Sequence, residues 1–215
     1  MVINSTPPKF AVGDTSRLLS EISKIAALCD TGPVKLGDIL LLTHGCSGAL
    51  LTLFLAGPFM LPIPLPGLSV PFGVMIAIFG LSLVTGQQPW LPKPWLNRVL
   101  PVALVRGFCQ AATKILPKIE PWLKPRWLWV FKHPLVGRSA GLMIVCCGLL
   151  LALPLPPGTN APPALAIVCL SIALLEQDGL CLLLGFILFG LNGIFFGGLA
   201  YFGYEAILAF LQRFV

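Results

Sequence analysis

Residues 66–71 read Pro-Gly-Leu-Ser-Val-Pro, and residues 157–162 read Pro-Gly-Thr-Asn-Ala-Pro. The two stretches lie 91 residues apart (157 − 66 = 91), and each one interrupts an apolar run that then resumes. Because proline removes a backbone donor and clashes with the preceding helical turn, each stretch must break a helix. Ser69 and Asn160 are residue types that cap helices, so the pattern predicts that a short helix begins at each break.

The apolar runs around the breaks predict membrane helices. Hydrophobic residues make up 57% of the chain and charged residues 10%, against about 45–50% and 25% in soluble domains. This composition excludes a disordered chain and a small disulfide-stapled module. Runs over 39–57 and 180–204 are long enough to cross a bilayer, whereas 72–86 and 164–175 are short. Unpaired backbone is costly in lipid, so the breaks are either sheltered at membrane depth or are surface loops.

Charged residues are concentrated between the two apolar halves. Residues 93–138 carry nine Lys or Arg against the single acid Glu120, while 39–92 and 139–175 carry no Asp, Glu, Lys or Arg. All five tryptophans fall in or beside the basic segment. Lys and Arg favour the cytoplasmic side of membrane proteins, and Trp favours the headgroup level. We therefore predict a cytoplasmic segment that contacts anionic lipid headgroups, and not a nucleic-acid-binding surface.

The predicted fold is an all-α integral membrane protein with two pseudo-symmetric repeats, each containing a helix broken by Pro-Gly. The breaks are re-entrant in one interpretation and lie at the surface in the other. Five segments follow: an amphipathic, cytoplasmic N-terminal helix in 1–38, a first membrane repeat in 39–92, the basic, tryptophan-rich interfacial segment in 93–138, a second membrane repeat in 139–178, and a glycine-rich C-terminal transmembrane helix in 179–215. Within the last segment, Gly193-Ile-Phe-Phe-Gly197 indicates close helix packing, either internal or at the seam of a homodimer.

Short helices that are broken at matching points in two halves indicate a transporter binding site. Helix N-termini favour an anion such as a carboxylate, while an acidic side chain would face a cationic group. The predicted solute-binding residues are Gly67, Ser69, Gly158, Asn160, Glu176, Asp178 and His44.

Plainer interpretations exist for several polar residues. His44 is expected to bond to a backbone carbonyl, and Glu176-Gln-Asp178 is expected to form a turn in which Gly179 lets the chain reverse. Asn192, inside the last apolar run, is expected to bond to a neighbouring helix.

No catalytic chemistry is indicated. The seven cysteines contain no Cys-x-x-Cys pair, only two histidines are present, and no GxxxxGK[ST], GxSxG or HExxH motif occurs. The sequence therefore predicts a protein that is not an enzyme and holds no metal or cofactor.

A set of motifs in fixed order resembles the bacterial ExoD family: Gly37-Asp38, 66–73, Gln88-Pro-Trp90, Glu120-Pro-Trp122-Leu, Pro125-Arg126, Asn160 with Ala164-x-Ala166-Ile167, and Leu175-Glu176-x-Asp178-Gly179. The resemblance covers roughly residues 35–205. It implies a multi-pass protein of the bacterial inner membrane, linked genetically to exopolysaccharide synthesis and to tolerance of alkaline conditions. It brings no catalytic site.

Two functions follow from these features. The first is a membrane transporter or channel for a small polar solute that bears a carboxylate, such as an amino acid. The alternative is a non-transporting assembly or regulatory subunit of exopolysaccharide synthesis that docks through its basic segment. In both cases the N-terminus and residues 93–138 are expected in the cytoplasm.

Overall fold

The computed structural model describes residues 47–60, 68–87, 125–153 and 158–211, with residue 27 and a few positions between 105 and 118. The described segments form α1 (Ser47–Ala56, extended by a 3-10 turn over Gly57–Met60), α2 (Ser69–Thr85), α3 (Leu128–Phe131), α4 (Pro134–Ala152), α5 (Ala161–Glu176) and α6 (Gly179–Leu211). This part of the chain contains no strand, only an isolated bridge between Arg126 and Asp178. The prediction of an all-α fold is confirmed for it.

Two helices are long and apolar enough to cross a membrane, judged by length and composition. They are Pro134–Ala152 and the Gly179–Gly203 part of α6. In the most apolar 18-residue stretch of each, only 33% and 22% of the residues are buried, whereas the core helix of a soluble protein is mostly buried. The exposed side chains are large and apolar, and Ile194 and Phe202 of α6 are 74% and 73% exposed. Such a continuous apolar surface indicates association with a membrane or another protein.

A seam of glycines joins α2 to α4. Gly73 lies against Gly148, and Gly80 lies against Gly141, so the two helices are antiparallel with contacts seven residues apart on each. A methyl group added at Gly73 would lie 2.5 Å from the carbonyl oxygen of Gly148 and 2.6 Å from the backbone nitrogen of Ala152. The absence of side chains at these glycines lets the two backbones approach closely.

The helices bring both breaks to one end of the bundle. The rings of Phe59, after α1, and Phe72, in α2, meet edge to face with centroids 5.9 Å apart. Met60 and Ala161 line one groove, which places the start of α5 at this same end. We call this the break end. We call the opposite end, where α5 finishes and a backbone β-bridge pairs Arg126 with Asp178, the charged end.

A buried hydrogen bond connects the two halves of the molecule. The hydroxyls of Thr52 in α1 and Ser171 in α5 lie 2.8 Å apart, and neither residue is exposed to solvent. Thr52 also donates to the carbonyl of Ala49 at 2.9 Å. The bond spans 119 residues of sequence, so it fixes the first helix of one half against the second helix of the other.

The two short helices have nearly the same length, 17 and 16 residues, and they end in the same way. They cover Ser69–Thr85 and Ala161–Glu176, and a displacement of 91 residues maps the end of one onto the end of the other. Gly86 and Gln177, the residues that follow, are both left-handed, with φ of 68° and 53°. Both helices begin three residues before the apolar runs that resume at 72 and 164, because the prolines at 71 and 162–163 fit within a first turn, as predicted.

The predicted cap position is correct at α5 and wrong at α2, and neither helix has a side-chain capping bond. Leu68, with helical φ and ψ of −86° and −21°, occupies the cap position of α2, and Ser69 is already inside the helix. Asn160 does occupy the cap position of α5, but its side chain accepts no capping bond. A capping side chain bonds to the second or third helical N–H, and here those residues are Pro162 and Pro163, which have none.

A candidate binding site at the break end

Asn192 ties α6 to the start of α5. Its Nδ2 donates to the carbonyl of Pro162 at 3.1 Å and to that of Leu188 at 2.9 Å, which confirms the predicted bond to a neighbouring helix. Since both partners are carbonyl oxygens and can only accept, the amide nitrogen must face them and the oxygen must face away. The residue is 2% exposed, and its Oδ1 has no hydrogen-bond partner.

A second amide oxygen at this end is also unsatisfied. The Oδ1 of Asn160 is buried without a partner, because the prolines that follow remove the donors it would otherwise bind. Buried polar atoms without partners are rare in native proteins, and each one needs an explanation. Two of them at one end of the bundle mark this region as a candidate site.

Asn192 lines a groove between α5 and α6. The groove encloses about 450 Å³ and is otherwise apolar, and the described residues around it include Met60, Ala161, Pro162, Leu188, Leu191 and Phe195. Asn192 is the one polar side chain among the described residues that line it. A concave, apolar surface with a single fixed polar group is typical of a site for a small molecule.

The start of α5 offers few N–H groups to an anion. The N–H of Ala161 already donates to Gly158 at 3.4 Å, and that of Ala164 donates to Asn160 at 3.1 Å. Pro162 and Pro163, which lie between them, have no N–H to donate. The described atoms at this helix start are therefore richer in acceptors than in donors, and an acceptor-rich site favours a ligand that donates hydrogen bonds.

The predicted site residues divide between the two ends. Ser69, Gly158 and Asn160 lie at the break end, whereas Glu176 and Asp178 lie at the charged end. The 16 residues of α5 separate the two groups by about 24 Å. A small solute cannot contact both groups at once. The other two predicted residues, His44 and Gly67, lie outside the described residues.

The acidic residues form the turn between α5 and α6. Oδ1 of Asp178 accepts from the N–H of Leu180 at 2.8 Å, and its carbonyl accepts from Leu182 at 3.0 Å. Because Leu180 is the second residue of α6, this side-chain bond makes Asp178, which is 1% exposed, the N-cap of that helix.

The expectation that Gly179 reverses the chain is wrong, because the left-handed residue of this turn is Gln177. Gly179 serves another purpose. A methyl group there would lie 2.6 Å from the ring of Trp127, so the glycine makes room for that indole at the charged end.

Comparison with known proteins gives the chain a family. A match to the family described as "Exopolysaccharide synthesis, ExoD" covers residues 15–198. The chain belongs to the ExoD family. It is 28% identical to Protein ExoD of Rhizobium meliloti over 197 residues, which cover 90% of this chain and 82% of that protein. It is 30% identical to an uncharacterized protein of Synechocystis over 193 residues, which cover 85% and 91% of the two chains.

The resemblance seen in the motifs is thus confirmed, and with it the family's link to exopolysaccharide synthesis. No solved structure matches the chain. The ExoD match includes both breaks, the glycine seam and Asn192, so the geometry at the break end lies within the family region.

Proposed function

We propose that this ExoD-family protein is a multi-pass integral protein of the bacterial plasma membrane that moves a small polar solute across it, without catalysis, metal or cofactor. Two helices of sufficient length and a largely exposed apolar surface support the membrane assignment. The link to exopolysaccharide synthesis gives the physiological context and does not name the solute.

The proposal depends most on the position of Asn192 along α6. Its apolar run, Leu180 to Tyr204, lies between Asp178 and Glu205, and Asn192 lies 12 residues from each end of that run, or about 18 Å. Its bond to Pro162 fixes the break end at the level of this midpoint. If α6 crosses the bilayer, the start of α5 lies close to the midplane, where transporters with broken helices hold their solutes.

The distribution of charge supports an orientation. Arg126, Lys132 and Arg138 lie at or near the charged end, and the exposed rings of Trp127 and Trp129 lie there too. Bases and indoles together favour the cytoplasmic interface. We propose that the charged end contacts anionic headgroups in the cytoplasmic leaflet, and that α5 enters the membrane from that side.

The start of α5 is a poor location for the expected carboxylate of the solute. A carboxylate carries only acceptors, and the described atoms at the start of α5 offer it few donors. The proposal keeps an amino acid or another small polar solute as the transported molecule.

A homodimer is part of the proposal. Methyl groups added at Gly193 and Gly197 would meet nothing within 4 Å in the described part of the chain, so an internal role for this GxxxG pair has no support among those residues. A second copy packing on the same face would cover both glycines. We expect Gly193→Leu to convert the dimer to a monomer in mild detergent, measured by light scattering during size-exclusion chromatography. Gly137→Leu, at another open glycine, is the control, and a dimer that persists in Gly193→Leu contradicts this interface.

Flux measurements in proteoliposomes test the transport function. We expect Asn160→Leu and Ser69→Leu to lower solute uptake on the order of tenfold or more, because each replaces a polar group at the break end with an apolar side chain. Amino acids and small amines form the first panel of solutes. Ser139→Leu, at the start of α4 near the charged end, is the matched control and should retain uptake.

If both break-end variants insert correctly and take up solute as fast as the parent protein, the proposed site is contradicted.

The alternative function predicts a different pattern. A non-transporting assembly or regulatory subunit would copurify with enzymes of polysaccharide synthesis through its basic segment, and the purified protein would move none of the solutes in the panel.

A further inference from the structure

The two short helices are equivalent residue by residue. A displacement of 91 residues maps 71–80 onto 162–171, and every position in the first range is buried, half-buried or exposed like its counterpart in the second. The exposed positions of the two ranges are Val74 and Leu165, and both are 36% exposed. Two proline-rich turns that are similar by chance would not be followed by helices with the same burial. α2 and α5 therefore occupy equivalent environments.

The equivalent helices also run in the same direction. α1 ends at the break end and α2 begins there, where Phe59 contacts Phe72. α4 also ends there, since Ala152 lies against Gly73 near the start of α2, and α5 begins beside Met60. Each half is thus a hairpin that reaches the break end with its first helix and leaves it with its second. Inverted repeats would place the two turns at opposite ends.

The two hairpins contact each other twice, at equivalent places. α1 packs on α5 where the hydroxyls of Thr52 and Ser171 lie 2.8 Å apart. The counterpart of Ser171 is Gly80 (171 − 91 = 80), which faces 141–145 of α4 across the glycine seam. The counterpart of Thr52 is position 143 (52 + 91 = 143), in the middle of that stretch. The two contacts therefore have the same register.

We propose that the chain consists of two parallel repeats, related by a pseudo-two-fold axis along the helices. The repeats move against each other, with the glycine seam as the pivot and the contact between Thr52 and Ser171 as the face that opens. The inference rests on the proposed function, because transporters built from repeats rock one repeat against the other.

The two faces differ in what is lost when they open. At the seam the glycines bring backbone against backbone, so parting the helices would lose close contacts between both backbones. The face between α1 and α5 carries a hydroxyl pair instead. Water satisfies both hydroxyls once they part, so wetting leaves neither of them without a hydrogen bond.

Thiol labelling tests the opening without measuring transport. The full-length protein without native cysteines, in proteoliposomes, carries Ser171→Cys or Ile144→Cys. Both parent residues are 0% exposed, but Ile144 lies on the face of α4 that forms the seam, between Gly141 and Gly148. We expect a water-soluble methanethiosulfonate reagent to modify Ser171→Cys on the order of tenfold faster than Ile144→Cys. Thr52→Cys should react like Ser171→Cys, and equally slow modification of all three variants would overturn the inference.

A cross-link connects the opening to flux. With Thr52→Cys and Ser171→Cys in one chain, two sulfurs replace hydroxyls that lie 2.8 Å apart, and copper phenanthroline can oxidise them to a disulfide. We expect the cross-link to lower solute uptake on the order of tenfold or more, and dithiothreitol to restore it. Unchanged uptake after complete cross-linking would overturn the moving repeats and leave transport intact. Fast labelling of Ser171→Cys in a protein that moves no solute would support the opening and contradict transport.

The orientation of the repeats is tested by sidedness. Gln87 and Gln177 follow the ends of α2 and α5, and in parallel repeats both lie at the charged end. An impermeant thiol reagent should therefore modify Gln87→Cys and Gln177→Cys from the same side of sealed vesicles. Modification from opposite sides would indicate inverted repeats and overturn the inference.

Discussion

Alanine at Gly73 lowers the stability of the protein by about 1–3 kcal/mol, the usual cost of adding a methyl group to a packed core. The new carbon would lie 2.5 Å from the carbonyl oxygen of Gly148 and 2.6 Å from the nitrogen of Ala152. Both atoms belong to the backbone of α4, so the two helices must move apart to relieve the contact. Thermal unfolding in detergent measures the effect, and Gly73→Val should cost more than Gly73→Ala.

Gly137→Ala is the matched control for this prediction. Gly137 lies in α4, the helix that Gly73 faces, but a methyl group there meets nothing within 4 Å. Alanine is favoured over glycine within helices by about 0.5–1 kcal/mol, so this variant should be as stable as the parent or more stable. Opposite signs for the two substitutions are the expected result. A Gly73→Ala protein that unfolds at the parental temperature would show that the seam is not close-packed.

Local sequence predicted the helices better than their contacts. Prolines and apolar runs are local signals, so both short helices were placed within three residues of their starts. The seam between Gly73 and Gly148 joins residues 75 positions apart, since 148 − 73 = 75. No periodicity in one helix indicates which other helix will pack against it, because that choice depends on the fit of two surfaces.

For the candidate site too, local sequence predicted which residues matter better than it predicted their contacts. Asn160 was predicted as a site residue, but as part of a helix start that binds anions. The two prolines after it are sufficient to show that its side chain lacks a donor at this helix start. Asn192 was predicted only to bond to another helix. Its place in the middle of the longest apolar run was the available signal, because a polar residue at that depth is costly and is retained for a reason.

Residue type alone does not show that the predicted site residues lie at opposite ends of α5. Glu176 and Asp178 lie close in sequence to the second break, and their charges suggested a shared site with Asn160. The helix between them carries the acidic residues about 24 Å away, where Asp178 caps α6. Sequence distance within a helix converts directly into spatial distance, so this separation could have been predicted once the helix was drawn.

The second prediction concerns how deep the break end lies in the bilayer, as measured by fluorescence quenching. In a background without the native cysteines, a fluorophore on Ala161→Cys should be quenched more by lipids with a quencher deep in the acyl chain than by lipids with one at the headgroup. Ala161 is exposed at the protein surface, so protein does not shield a fluorophore there. Weak quenching by headgroup quenchers would therefore report depth in the bilayer. The physical reason is that the bond between Asn192 and Pro162 fixes this helix start at the midpoint of α6.

Two labelled positions calibrate the depth measurement. Leu191, which is 55% exposed and adjacent to Asn192, should report the midplane, and Gln87, which is exposed beyond the end of α2, should report the headgroups. We expect Ala161 to match Leu191 and to differ from Gln87 by about 18 Å. If Ala161 instead matches Gln87, the breaks lie at the membrane surface. The start of α5 would then be an ordinary loop boundary, and a solute site at the midplane would have no residues to form it.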